Sequence, residues 1–197
     1  MNYKKVLCFI SLLFVLALFA PYQGWAQLSP YAGDTGGPTK PGTHAPIITN
    51  SFAVEKGQYG YIWKVYIEGE DPDGDMLRIA ATVDQTGYGH YPTDWIYLKS
   101  PYQKHFKGYL QWNTFSSRAS RLEEWTQITL KVSVIDKAGN VSNEVVFPFT
   151  FESGIKSASQ YQLPAPFDQG DMPRLGRISV DLFEPRDSGG DDGGPHT

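Results

Sequence analysis

The sequence predicts an all-β protein, an antiparallel sandwich of seven strands, and three observations carry that expectation. Apolar residues recur with a period of two rather than 3.6 through the middle of the chain. Two aspartate-rich turns, Glu70-Asp71-Pro72-Asp73-Gly74-Asp75 and Asp136-Lys137-Ala138-Gly139-Asn140, each join two such alternating runs. Beyond the apolar N-terminus, no segment carries a convincing helical period.

The elements follow in chain order. Residues 47–54 form the first expected strand. Tyr61, Trp63, Val65 and Ile67 alternate with Lys64 and Glu68 in the second. After the first acidic turn, Leu77, Ile79, Ala81 and Val83 mark the third, 95–98 a short fourth, and 109–112 part of a fifth. The sixth is the clearest: Ile128, Leu130, Val132 and Val134 face one way, Thr129, Lys131 and Ser133 the other. Val145, Phe147, Phe149 and Phe151 make the seventh, which Pro148 assigns to a sheet edge because proline cannot donate a ladder hydrogen bond. Seven short strands punctuated by turn signals point to a single immunoglobulin-like sandwich over residues 46–152.

The flanks are of another kind. Lys4 and Lys5, the apolar run 6–20 and Gly24-Trp25-Ala26 read as a secretory signal peptide over 1–26. A membrane anchor needs about 20 apolar residues, and this run stops short at Pro21. Residues 27–45, rich in Gly and Pro, read as a flexible linker. Residues 153–197 read as an extended tail. Within it, Ile178, Val180 and Leu182 alternate with Arg177, Ser179 and Asp181, giving one extra strand over 174–184 before a disordered acidic end. The expected location is exported, extracellular or at the cell surface. The periplasm stays open, because a signal peptide licenses only one membrane crossing.

Cys8, the only cysteine, lies inside the signal, so the mature chain has no disulfide, thiolate metal site or cysteine nucleophile. The formal net charge of −4 grows more negative once Lys4 and Lys5 are removed. Without a basic patch or a basic amphipathic helix, neither nucleic acid nor membrane insertion after signal cleavage is expected.

Three stretches resemble Ig-like domains of exported bacterial proteins, in the style of cadherin-like and PKD-like modules. They are Gly69-Glu70-Asp71-Pro72-Asp73-Gly74-Asp75-Met76-Leu77, Gly108-Tyr109-Leu110-Gln111-Trp112 and Val132-Ser133-Val134-Ile135-Asp136-Lys137-Ala138-Gly139-Asn140-Val141-Ser142. The resemblance spans about residues 46–152 and implies a spacer, adhesion unit or binding module. It specifies fold far better than ligand.

Candidate sites fall into three groups. The loops after the second and sixth strands share one end of an Ig sandwich, which brings Asp71, Asp73 and Asp75 toward Asp136 and Asn140. Hard oxygen ligands of this kind suit Ca²⁺; the alternative reading is turn chemistry, in which Asp-Gly and Gly-Asn supply left-handed backbone. No cofactor is required on either reading. Among the aromatics between Tyr88 and Trp112, the loop residues Tyr88, His90, Tyr91 and Tyr102 are candidates for stacking on a glycan, while Trp95 and Tyr97 read as core. In the tail, Arg174, Arg177, Ile178, Val180, Leu182 and Phe183 form either an eighth strand of the same domain or a strand that adds to a partner's sheet edge. No nucleophile elbow, paired-carboxylate spacing or His-x-x-x-His pattern supports an enzyme. Asn140-Val141-Ser142 matches a glycosylation acceptor by chance. The expected function is therefore non-catalytic protein–protein interaction or structural assembly. A carbohydrate-binding module and a calcium-stabilised spacer are the alternatives.

Overall fold

The computed structural model describes residues 43–119, 122, 124–153 and 162–185. The expected signal peptide, the linker through residue 42 and the acidic end after Pro185 lie outside the described residues.

The described residues form two sheets, with no barrel and no α-helix. The strands are β1 (Ile47–Ala53), β2 (Lys56–Gly57), β3 (Ile62–Glu70), β4 (Met76–Gln85), β5 (Gly89–His90), β6 (Asp94–Tyr97), β7 (His105–Asn113), β8 (Gln127–Asp136), β9 (Val145–Phe151) and β10 (Arg174–Ile178). One sheet runs β1-β3-β7-β10; the other runs β2-β9-β8-β4-β5, with β6 also paired to β4. The seven expected strands all have counterparts, but the described fold adds β2, β5 and β10. Nor is it wholly antiparallel: β10 lies parallel to β7 and β2 parallel to β9.

The period-two pattern works as the sequence requires. In β8, Ile128, Leu130, Val132 and Val134 are buried, and in β3 so are Trp63, Val65 and Ile67. These faces meet across one hydrophobic core. Trp63 and Trp112 stand opposite each other in the β3–β7 register with ring centroids 6.0 Å apart. Each indole N–H is satisfied, Trp63 donating to the Val54 carbonyl and Trp112 to the Val180 carbonyl. Pro148 pairs opposite Thr129 of β8, while β2 reaches only Thr150 and Phe151 on the other side of β9. The proline thus sits on unpaired edge, as its missing N–H demands.

No helix among the described residues is long and apolar enough to cross a membrane.

Candidate functional site

The two acidic turns do meet at one end of the sheets, where the Lys137 N–H donates to the Asp75 carbonyl. Their carboxylates mainly close the turns. Asp71 accepts from the Asp73 and Asp75 N–H groups at 3.1 and 3.0 Å. Asp136 accepts from the Asn140 N–H at 2.8 Å and from its side-chain amide at 2.7 Å. Gly74 and Gly139 take the positive φ that these turns need. Asp73 is drawn elsewhere, accepting from the His44 backbone and lying 2.9 Å from its Nδ1. Among the described residues, no group of three or more His, Cys, Asp or Glu is arranged to hold a metal ion.

Electrostatics follow from that placement. Burial, then the hydrogen bond with Asp71 and the charges of Asp136, Asp71 and Asp73, hold the Asp75 carboxyl above the usual range. His44 is raised by its hydrogen bond to Asp73, and Asp73 is lowered chiefly by the His44 backbone N–H. Asn140 is buried and bonded to Asp136 and Thr43, which leaves its amide inaccessible as a glycan acceptor.

The loop aromatics depart from expectation. Tyr91 is buried; its hydroxyl donates to Gln85 Oε1 and accepts the Phe183 N–H, and burial pushes its pKa up to about 12. Tyr88 stacks on Phe183 with centroids 4.7 Å apart and planes 5° from parallel. Tyr102 packs against the core, and His90 pairs with Asp84 across β5 and β4. Tyr88 and Tyr91 therefore form a clamp on the protein's own tail rather than a sugar platform.

The tail itself docks in cis. Arg174–Ile178 adds to β7, and Leu175, Ile178 and Leu182 are buried in the common core. Beyond Ile178 the backbone is irregular, yet the body reads it through side chains. Asp94 accepts from the Ser179 N–H, and Ser116 and Gln85 donate to the Leu182 and Phe183 carbonyls. Arg118 lies over the Phe183 ring. Of the two readings of the tail, this is the eighth strand of the same domain: Ile178, Leu182 and Phe183 are packed against their own body. Arg174 and Arg177 are exposed, and Val180 is half-buried.

Of the large hydrophobics exposed among the described residues (Ile47, Ile62, Trp95, Tyr97, Phe115 and Trp125), Trp95 and Tyr97 lie together on the outer face of the larger sheet. In β6 the expected core residues are reversed: Ile96 points inward, while Trp95 and Tyr97 are 42% and 63% exposed. Arg78 on β4 stands opposite Tyr97, and Ala80 opposite Trp95. The Arg78 guanidinium carbon lies 3.9 Å from the Trp95 ring centroid, a close cation–π pair. Its Nε is buried without a hydrogen-bond partner, and among the described residues no carboxylate pairs with it. Small or polar Ala80 and Ser133 continue the face across β4 and β8. Sequence alone gave one signal for this patch, the alternation Trp95-Ile96-Tyr97-Leu98, but two apolar sets in register cannot show which one faces out.

No protein-family model and no curated protein matches the chain, so its functional assignment rests on this geometry.

Proposed function

We propose that the chain is an exported, non-catalytic Ig-like protein that docks a protein partner on the outer face of its larger sheet. The observation that carries the reading is the exposure of Trp95 and Tyr97 on one face beside half-buried Arg78, which stacks on Trp95 and has no carboxylate partner among the described residues. Trp, Tyr and Arg are the residue types that dominate binding hot spots, because they combine large rigid area with polar reach.

The strand order supports the Ig-like part. Taking the seven expected strands alone, the first, second and fifth (β1-β3-β7) share one sheet, and the seventh, sixth, third and fourth (β9-β8-β4-β6) the other. That order is compatible with an Ig-type Greek key in which the fourth strand joins the second sheet. Export rests on the N-terminal sequence.

The test compares wild-type protein with Trp95→Ala and Tyr97→Ala in capture from envelope and culture-medium fractions. A partner held by the wild type is expected to be lost from both variants, with both still folded and the melting temperature of Tyr97→Ala unchanged. Retention by both would remove this face from the interaction.

A glycan is the second reading, favoured by two exposed rings on alternate residues of one strand. It moves the sugar platform from the loop aromatics to Trp95 and Tyr97. Quenching of Trp95 emission by one member of a polysaccharide panel, abolished in Tyr97→Ala, would favour it over a protein partner.

A further inference from the structure

The edge of β7 is a peptide-binding groove occupied by residues 174–183, and we infer that it accepts this segment from a second copy of the chain as well as from its own. The geometry around the groove is that of a built receptor. Because β6 joins the larger sheet, β7 has a free edge, which β10 fills in parallel with Arg177 opposite Gln111 and Ile178 opposite Trp112. Glycines on both surfaces make room, Gly108 for the tail backbone and Gly176 for the Ile96 side chain. A Cβ at Gly108 would lie 2.4 Å from the Pro173 carbonyl oxygen, and one at Gly176 would lie 2.2 Å from Ile96 Cγ2. Leu175, Ile178 and Leu182 are buried while Arg177, Ser179 and Asp181 are exposed, the period of two breaking at the register shift between Arg174 and Gly176.

Recognition also continues where the strand ends. The side chains of Asp94, Trp112, Ser116, Gln85 and Tyr91 bond successive backbone groups from Ser179 to Phe183. A backbone held by side chains of the body is bound as a peptide is bound. None of these contacts requires that the two pieces belong to one chain.

The connection permits exchange. Residues 152–173 separate β9 from β10, and the described ones among them, 152–153 and 162–173, carry no strand or helix. The link between Ser153 and Gln162 alone can span on the order of 30 Å when extended. Phe167, buried beside Tyr66, would travel with the tail and find the same seat on the second copy. Contacts made in trans would therefore duplicate those made in cis, leaving protein concentration against effective concentration to decide the ratio.

The test uses cysteine pairs in the full chain carrying Cys8→Ser. One preparation carries Gln111→Cys, the other Arg177→Cys, at positions that face each other in the β7–β10 register. The two are unfolded, mixed, refolded together over a range of concentrations and oxidised. A disulfide-linked dimer is expected from the mixture and absent from either chain alone, its yield rising at least several-fold with concentration. The double variant, Gln111→Cys with Arg177→Cys in one chain, is expected to close internally at low concentration, which shows that the pair can bond. Internal closure in the double variant with no dimer from the mixture at any concentration would overturn the inference. Trp95 and Tyr97 take no part, so failure here and failure of the docking face are separable.

Discussion

Asp71 shows how much one carboxylate can organise. Its two oxygens hold two turn N–H groups while the residue is almost fully buried. Asp71→Ala would strand both donors and is expected to cost ~2–3 kcal/mol in a denaturant titration. Asp75 acts in the opposite sense. Its raised pKa means that the folded state holds the proton better than the unfolded chain, so stability falls as pH rises above the ordinary value of 3.8. Asp75→Asn is accordingly expected to raise the melting temperature at neutral pH and to leave it unchanged in acid below the carboxylate range. An equal effect at both pH values would show that charge is not the cause. The His44–Asp73 pair has two limits. The raised His44 contribution is present below the ordinary histidine value and fades as pH rises through the folded one. The lowered Asp73 contribution is present above the ordinary carboxylate value and is lost as pH falls through the folded one. Attachment of the segment before β1 should therefore be firmest in mildly acidic solution, measurable as amide exchange at His44.

At the scale of the element, β10 and the segment after it decide the architecture's integrity. Ile178→Ala and Leu182→Ala each remove a fully buried aliphatic side chain and are expected to cost about 2–4 kcal/mol. Truncation after Ser153 should go further, because it uncovers Trp112 and Leu110 and leaves buried Gln85, Tyr91 and Ser116 without their tail partners. Loss of the cooperative thermal transition is the expected result; an intact transition would make the tail an accessory. This element also marks where sequence reading stops. The period-two runs of β3, β4, β8 and β9 were legible, because alternation over seven or more residues leaves one reading. The alternation at 174–184 was legible too, yet its partner strand was not, since long-range pairing leaves no local mark. Tyr88 and Tyr91 failed for the same reason: their glycine-rich surroundings suggested exposure, while the ring that covers them, Phe183, lies far along the chain.

For the whole molecule, the two sheets enclose one core and leave Trp95 and Tyr97 side by side on the outer face of the larger sheet. Tyr97 contributes little to folding from its exposed position, so alanine there should shift stability by no more than about 0.5 kcal/mol, whereas Trp95→Ala also loses the Arg78 stack and should cost about 1 kcal/mol. The same changes are expected to abolish partner binding, and that separation of stability from function distinguishes a docking face from core. Arg78→Lys would keep the charge but lose the planar stack on Trp95, and should weaken binding about tenfold.

The most direct measurement places a photo-crosslinking residue at position 97 on the outer face and, separately, at position 64 on the other sheet, in the protein expressed in its own cells. A single discrete adduct from position 97, absent at position 64 and lost with Trp95→Ala, is the expected result. Adducts of equal yield from both positions, or none from position 97, would contradict a docking face built on Trp95, Arg78 and Tyr97.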